Sequence, residues 1–185
     1  GSLGLVAADI MLGRLQEAHS HLRQDSEEMK NLGIWDFALL AETGSVMAEL
    51  IVGRRDEGLA LADQLDVDTF LDSIPPLARD YTLPALTMAR LGKQEAVDRV
   101  LQRWKEDETP SSVGPAFQET RDAAEALLTG STDPARGLAQ LEDLSREINC
   151  PNCAIWDRAA LAVAASRWEE ARDLYLRGLE GGSGN

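Results

Sequence analysis

Arg90-Leu91-Gly92-Lys93-Gln94-Glu95-Ala96 reads as the end of one helix, a turn and the start of the next. Gly after an apolar helix end supplies the left-handed conformation that closes a helix at little steric cost. Glu-Ala then opens a new apolar run. The phrase recurs as Met11-Leu12-Gly13-Arg14-Leu15-Gln16-Glu17-Ala18 and as Ile51-Val52-Gly53-Arg54-Arg55-Asp56-Glu57-Gly58. A diverged copy runs from Leu128-Thr129-Gly130 to Arg136-Gly137, and the last is Ala165-Ser166-Arg167-Trp168-Glu169-Glu170-Ala171. The small residues that close the copies, Ala18, Gly58, Ala96, Gly137 and Ala171, are separated by 40, 38, 41 and 34 positions. A period in the high thirties fits one helix–turn–helix unit. A small residue at that point lets two helices approach closely.

The flanking segments carry helical periodicity. Trp168, Ala171, Tyr175 and Gly178 fall on one helix face, as do Leu138, Leu141, Leu144 and Ile148, and Val97, Val100, Leu101 and Trp104. Five helix pairs follow: 3–12 with 15–31, 36–52 with 55–65, 77–91 with 94–107, 115–129 with 134–148, and 153–165 with 168–180. Asp133-Pro134 is a strong helix start, because Asp caps and Pro occupies the first helical position, where an N–H is not needed. Pro75-Pro76 and Gly114-Pro115 punctuate similarly. Pro84 either kinks its helix or marks a later start capped at Thr82. Asp66 to Asp72 reads as a loop or one short extra turn.

The composition agrees with an all-α class. Ala and Leu dominate, whereas Val and Ile are few and scattered, so strands have little to be made from. No apolar run reaches the roughly 18 residues of a membrane span, and no secretory signal opens the chain. Gly1-Ser2 reads as a cleavage scar, which leaves 3–181 as a single helical repeat domain and 182–185 as a disordered tail. A cytoplasmic location is the matching expectation. Acidic residues outnumber basic ones 32 to 18, for a net charge of −14. That field repels phosphate backbones and anionic membrane surfaces and suits a partner with a basic patch. An acidic surface also simply keeps a repeat protein soluble.

The last unit resembles the tetratricopeptide (TPR) repeat. Counted from Asn152, Ala159 takes the small position of the first helix and Ala171 that of the second. Trp168 is the aromatic before Ala171 and Tyr175 the aromatic one turn after it. The other units keep the turn and the small residue but lose most aromatics, and the longer period departs from the family's 34. With Cys-x-x-Cys leading into an Ala-rich helix, this unit is also similar to terminal TPR units of bacterial signalling proteins, regions attached to Ser/Thr kinases, nucleotide cyclases or transcription regulators. The resemblance implies an α-α superhelix, a TPR-like solenoid whose first helices line a concave face that binds a peptide or a partner helix. Its groove positions fall on Leu40, Thr43, Met47 and Leu50, on Ala78, Tyr81, Ala85 and Met88, and on Cys153, Trp156, Ala160 and Val163. Trp, Tyr and Met are credible anchors there, and each is equally at home in an ordinary core between units.

Catalytic constellations are not evident. Cys150-Pro151-Asn152-Cys153 is the sharpest local motif. A redox dithiol of this spacing opens a helix of a βαβ fold, which this chain lacks, and zinc needs two further ligands. The pattern fits a turn at the opening of a helix, at Cys153, with two small buried thiols, or a local disulfide. His19 and His21 are two apart on a helix and cannot share a ligand. The Asp66, Asp68 and Asp72 cluster lacks the Gly and the closing Glu of a calcium loop, so capping explains it better. A scaffold that binds a protein or peptide, without cofactor, metal or enzyme activity, is the leading expectation. A ligand-sensing regulatory region and a self-associating homodimer module are the alternatives.

Overall fold

A computed structural model of the chain describes residue 9 and residues 12–76, 79–107 and 114–182. Among these residues there are ten α-helices and no strand. They are α1 (Leu15–Asn31), α2 (Trp35–Ile51), α3 (Arg55–Gln64), α4 (Val67–Ser73) and α5 (Thr82–Arg90), then α6 (Gln94–Asp107), α7 (Pro115–Gly130), α8 (Pro134–Glu147), α9 (Ile155–Ala164) and α10 (Trp168–Gly182). None is long and apolar enough to cross a membrane among the described residues. The chain divides into two compact units, with the boundary between Thr87 and Met88. Most of the helix expected at 3–12 lies outside the described residues.

One turn geometry closes five of the ten described helices. At Gly53 the amide donates to the Leu50 carbonyl (3.1 Å) while the Arg54 amide reaches back to Glu49 (2.8 Å). At Gly92 the same bonds run to Ala89 (2.9 Å) and, from Lys93, to Met88 (3.0 Å). Both glycines have positive φ, 81° and 77°, where any side chain would be strained. The identical pair of bonds recurs around Gly33, Asn149 and Ser166, whose φ values are 73°, 51° and 61°. So the geometry extends to two reversals that the repeating phrase does not contain. The diverged copy differs. There α7 runs through Gly130, Ser131 stays right-handed, and the Asp133 carboxylate caps α8 through the Arg136 amide (3.1 Å) with Pro134 leading the helix.

Two open readings are resolved and one expectation needs correction. The helix read from 77 takes the later start that Pro84 left open, at Thr82, with the Asp80 carboxylate accepting from the Thr82 amide (2.8 Å). Pro84 thus sits in the first turn, where its missing N–H costs nothing, and no kink is needed. Residues 77 and 78 lie outside the described set. The helix expected from 153 starts at Ile155, since Ala154 is left-handed (φ 50°) and interrupts it. Cys153 therefore belongs to the turn and does not open the helix. Residues 67–73, left between loop and turn, form the short helix α4, capped by Asp66 through the Thr69 amide (3.1 Å) and hydroxyl (2.7 Å). Those bonds hold the Asp66 carboxyl below its ordinary pKa.

Each unit has its own core. In the first, α2 packs on α1, α3 and α4. Ala18, Leu22 and Ala41 form a buried cluster, with Leu22 against Gly44. His19 donates or accepts at 2.7 Å with Glu49, at the edge between α1 and α2. In the second unit, α7 packs on α8 and α9 on α10, while α8 also packs on α9. Leu138, Ile155, Ala159, Ala162, Ala171 and Leu174 fill the interior. Trp104 of α6 meets Phe117 of α7 edge to face at 5.2 Å. Arg90 and Asp157 pair in bidentate fashion, at 2.6 and 2.8 Å, and tie the end of α5 to α9.

Candidate functional site: the outer face of the last helix pair

The groove expected from the repeat positions is mostly interior. Thr43 is fully buried and donates its hydroxyl to the Leu39 carbonyl at 2.8 Å. Tyr81 and Met88 are only 4% and 2% exposed, and Ala85 is fully buried. These four side chains are core, so they cannot anchor a partner. The reason is periodicity: Tyr81, Pro84, Ala85, Met88 and Ala89 form the buried side of one helical segment. Met47 and Leu50 are half-buried. Only Trp156 and Ala160 are exposed, and both belong to α9 in the second unit. Ala78 lies outside the described residues.

Trp156 leads to a larger feature. It is the second residue of α9 and stays 50% exposed. Its ring lies 6.0 Å from that of Tyr175 on α10. It also covers Gly178, where an added Cβ would stand 2.9 Å from the indole. Along α10, Ala171 and Leu174 turn inward. Trp168, Tyr175 and Leu179, at steps of 7 and 4, share an outer stripe that Leu176 widens. Trp168 is 63% exposed, and Tyr175, Leu176 and Leu179 are exposed with it. Along the line of Trp168, Ala171, Tyr175 and Gly178, Ala171 is buried and Gly178 half-buried, while the two aromatics stay exposed. Leu176 and Leu179 escaped the sequence reading, although two leucines outside the buried periodicity of a helix end are a visible signal.

Beneath this face the polar groups are ordered. Cys150 and Cys153 are joined by a disulfide that closes the turn ahead of α9. Ser145 of α8 donates to the Cys150 carbonyl at 2.9 Å. The Glu170 carboxyl of α10 is hydrogen-bonded to that of Glu142 on α8. Burial raises the Glu170 pKa, and the bond and charge of Glu142 add to the rise, while Arg167 and Arg158 oppose it. A carboxyl whose pKa is higher folded than unfolded contributes stability below its unfolded pKa and loses it as pH rises through the folded value. Glu170→Gln keeps a donor toward Glu142 at every pH. It should therefore match the parent in urea unfolding near about pH 4 and exceed it near about pH 8. A constant difference between the two proteins over that range would contradict a raised Glu170 pKa.

No family model matches this chain, and no curated protein or solved structure matches it.

Proposed function

We propose that this chain is a protein-interaction module that engages a partner through the outer face of α9 and α10. The observation that carries the reading is the set of large apolar side chains left in solvent there: Trp156, Trp168, Tyr175, Leu176 and Leu179. Burying one such side chain is worth about 1.5–3 kcal/mol. Trp and Tyr are also the residue types that dominate interface energetics. Clustered exposed apolar side chains mark an interaction surface. The net charge of −14 favours a partner whose apolar surface is flanked by basic residues, and predicts association that slows with added salt.

The TPR-like reading of the array is part of the same proposal. Its support is the recurrence of one helix-closing turn and of small residues at the start of the second helices. In an array of helix pairs each pair buries its neighbour's face, so an apolar stripe such as Trp168, Tyr175 and Leu179 is the kind of surface that a packed partner covers. No cofactor or catalytic group is needed for this role.

A partner bound by the native chain should bind the Trp156→Ala, Leu179→Ala double variant at least about tenfold more weakly, or about 1.4 kcal/mol. The helical signal and the melting temperature should be unchanged. Undiminished affinity in a folded double variant would overturn the reading.

A further inference from the structure

Arg158 lies in the first half of α9 and is 8% exposed. Its Nη1 donates to the Pro151 carbonyl at 2.9 Å and to the Ser145 hydroxyl at 3.3 Å. Its Nε is buried without an acceptor. Among the described residues no carboxylate stands within ion-pair distance of it. Burial is the main cause lowering its pKa; Glu142 and Glu170 oppose that from further away, and the nearby Arg177 reinforces it. That Nε is closed off from solvent; the donor an incoming acceptor would meet is Nη2, which makes no hydrogen bond among the described residues.

Arg158 lines an open cleft of about 810 Å³, counted out to solvent. Arg146 and Arg177 share that lining with Ser145, Asn149 and Glu142. Arg146 is already paired with Asp143. Arg177 has no ion pair among the described residues. Glu142 also lines the cleft, and its charge favours the charged form of Arg158. One wall is the turn closed by Cys150 and Cys153, whose carbonyls at Cys150 and Pro151 hold Ser145 and Arg158 in place. In a chain of net charge −14, Arg158 and Arg177, neither in an ion pair among the described residues, therefore face one opening beside Glu142.

We propose that this cleft binds a phosphate monoester group, with the buried Arg158 as its floor and Arg177 as the second donor. Two guanidiniums outside any ion pair among the described residues match a dianion, and planar forks suit phosphate oxygens. A nucleic-acid backbone fits less well. It offers one charge per phosphate, and its length would bring the whole chain's negative field into play. The inference does not rest on the apolar face, because it uses other side chains of the same unit.

Calorimetric titration of the full chain with inorganic phosphate and with a phosphoserine peptide tests it, with the unphosphorylated peptide as control. At least one of the two phosphate probes should bind at one site with a Kd near or below about 1 mM. Arg177→Ala, an exposed position that leaves the core untouched, should weaken that binding at least tenfold, and Arg158→Gln should do the same. Arg172→Ala, paired with Asp173 on the surface, should leave it unchanged. An Arg Nε–H resonance lost in Arg158→Gln should also shift on titration. Binding of the peptide without free phosphate would assign a protein ligand; equal binding of both would assign a small phosphate. Absence of saturable binding by either probe would overturn the proposal. So would binding that survives Arg177→Ala, or that falls equally in Arg172→Ala.

Discussion

Gly137→Ala is expected to destabilise the second unit by about 3 kcal/mol, although alanine is the better helix former by about 1 kcal/mol. A Cβ at Gly137 would lie 2.4 Å from the Gly130 Cα and 2.7 Å from the Ala126 carbonyl oxygen. Those are backbone atoms of α7, and no rotamer change can move them. The α7–α8 crossing must open, and Leu138 and Leu141, both essentially buried, would lose contacts with it. For a chain of this size the melting transition should fall by roughly 6–12 °C. Gly58→Ala is the control at the equivalent place in an earlier copy. Its nearest neighbour is the Leu50 Cδ2 at 3.3 Å, a flexible side-chain end, so the change should stay within about 1 kcal/mol and can be favourable. Equal losses at the two glycines would show that the close crossing is not what selects Gly137.

Leu174→Ala should cost about 3–4 kcal/mol. Leu174 is fully buried among Leu138, Ile155, Ala159, Ala162 and Ala171. Three of those neighbours are alanines, which cannot swing into the vacated space, so the cavity stays open and the loss sits in the upper part of the usual range. Leu174→Met keeps the volume and should cost less than about 1.5 kcal/mol. Urea unfolding with an unchanged slope measures both. A loss below about 1 kcal/mol for Leu174→Ala would mean that the α9–α10 core collapses around the change.

Much of the fold is legible in the residue order. Single glycines at helix ends, Asp-Pro at a helix start and the 3.6-residue spacing of Leu and Ala place most helices, since each signal acts within one turn of its own position. Helix starts that depend on a side chain outside the helix are harder. The Asp80 cap and the left-handed Ala154 moved two of them. The candidate groove was read poorly for a different reason. Apolar periodicity marks a buried stripe but does not say whether a core or a partner covers it, so Tyr81 and Met88 look the same in sequence as Trp156. Polar contacts across long separations leave no local trace at all. Arg90 meets Asp157 across 67 residues, and Arg158 reads as an ordinary solvated arginine until its burial is seen.

The interaction role is tested most directly by placing a photo-crosslinking amino acid at Leu176, within the exposed face, and at Asp98, an exposed position on α6, in cells that express the full chain. Irradiation should give a discrete protein adduct from position 176 and none from position 98. An adduct that proves to be a second copy of this chain would identify the partner as itself. No adduct at 176, or the same adducts from both positions, would contradict the assignment of this face as an interaction surface.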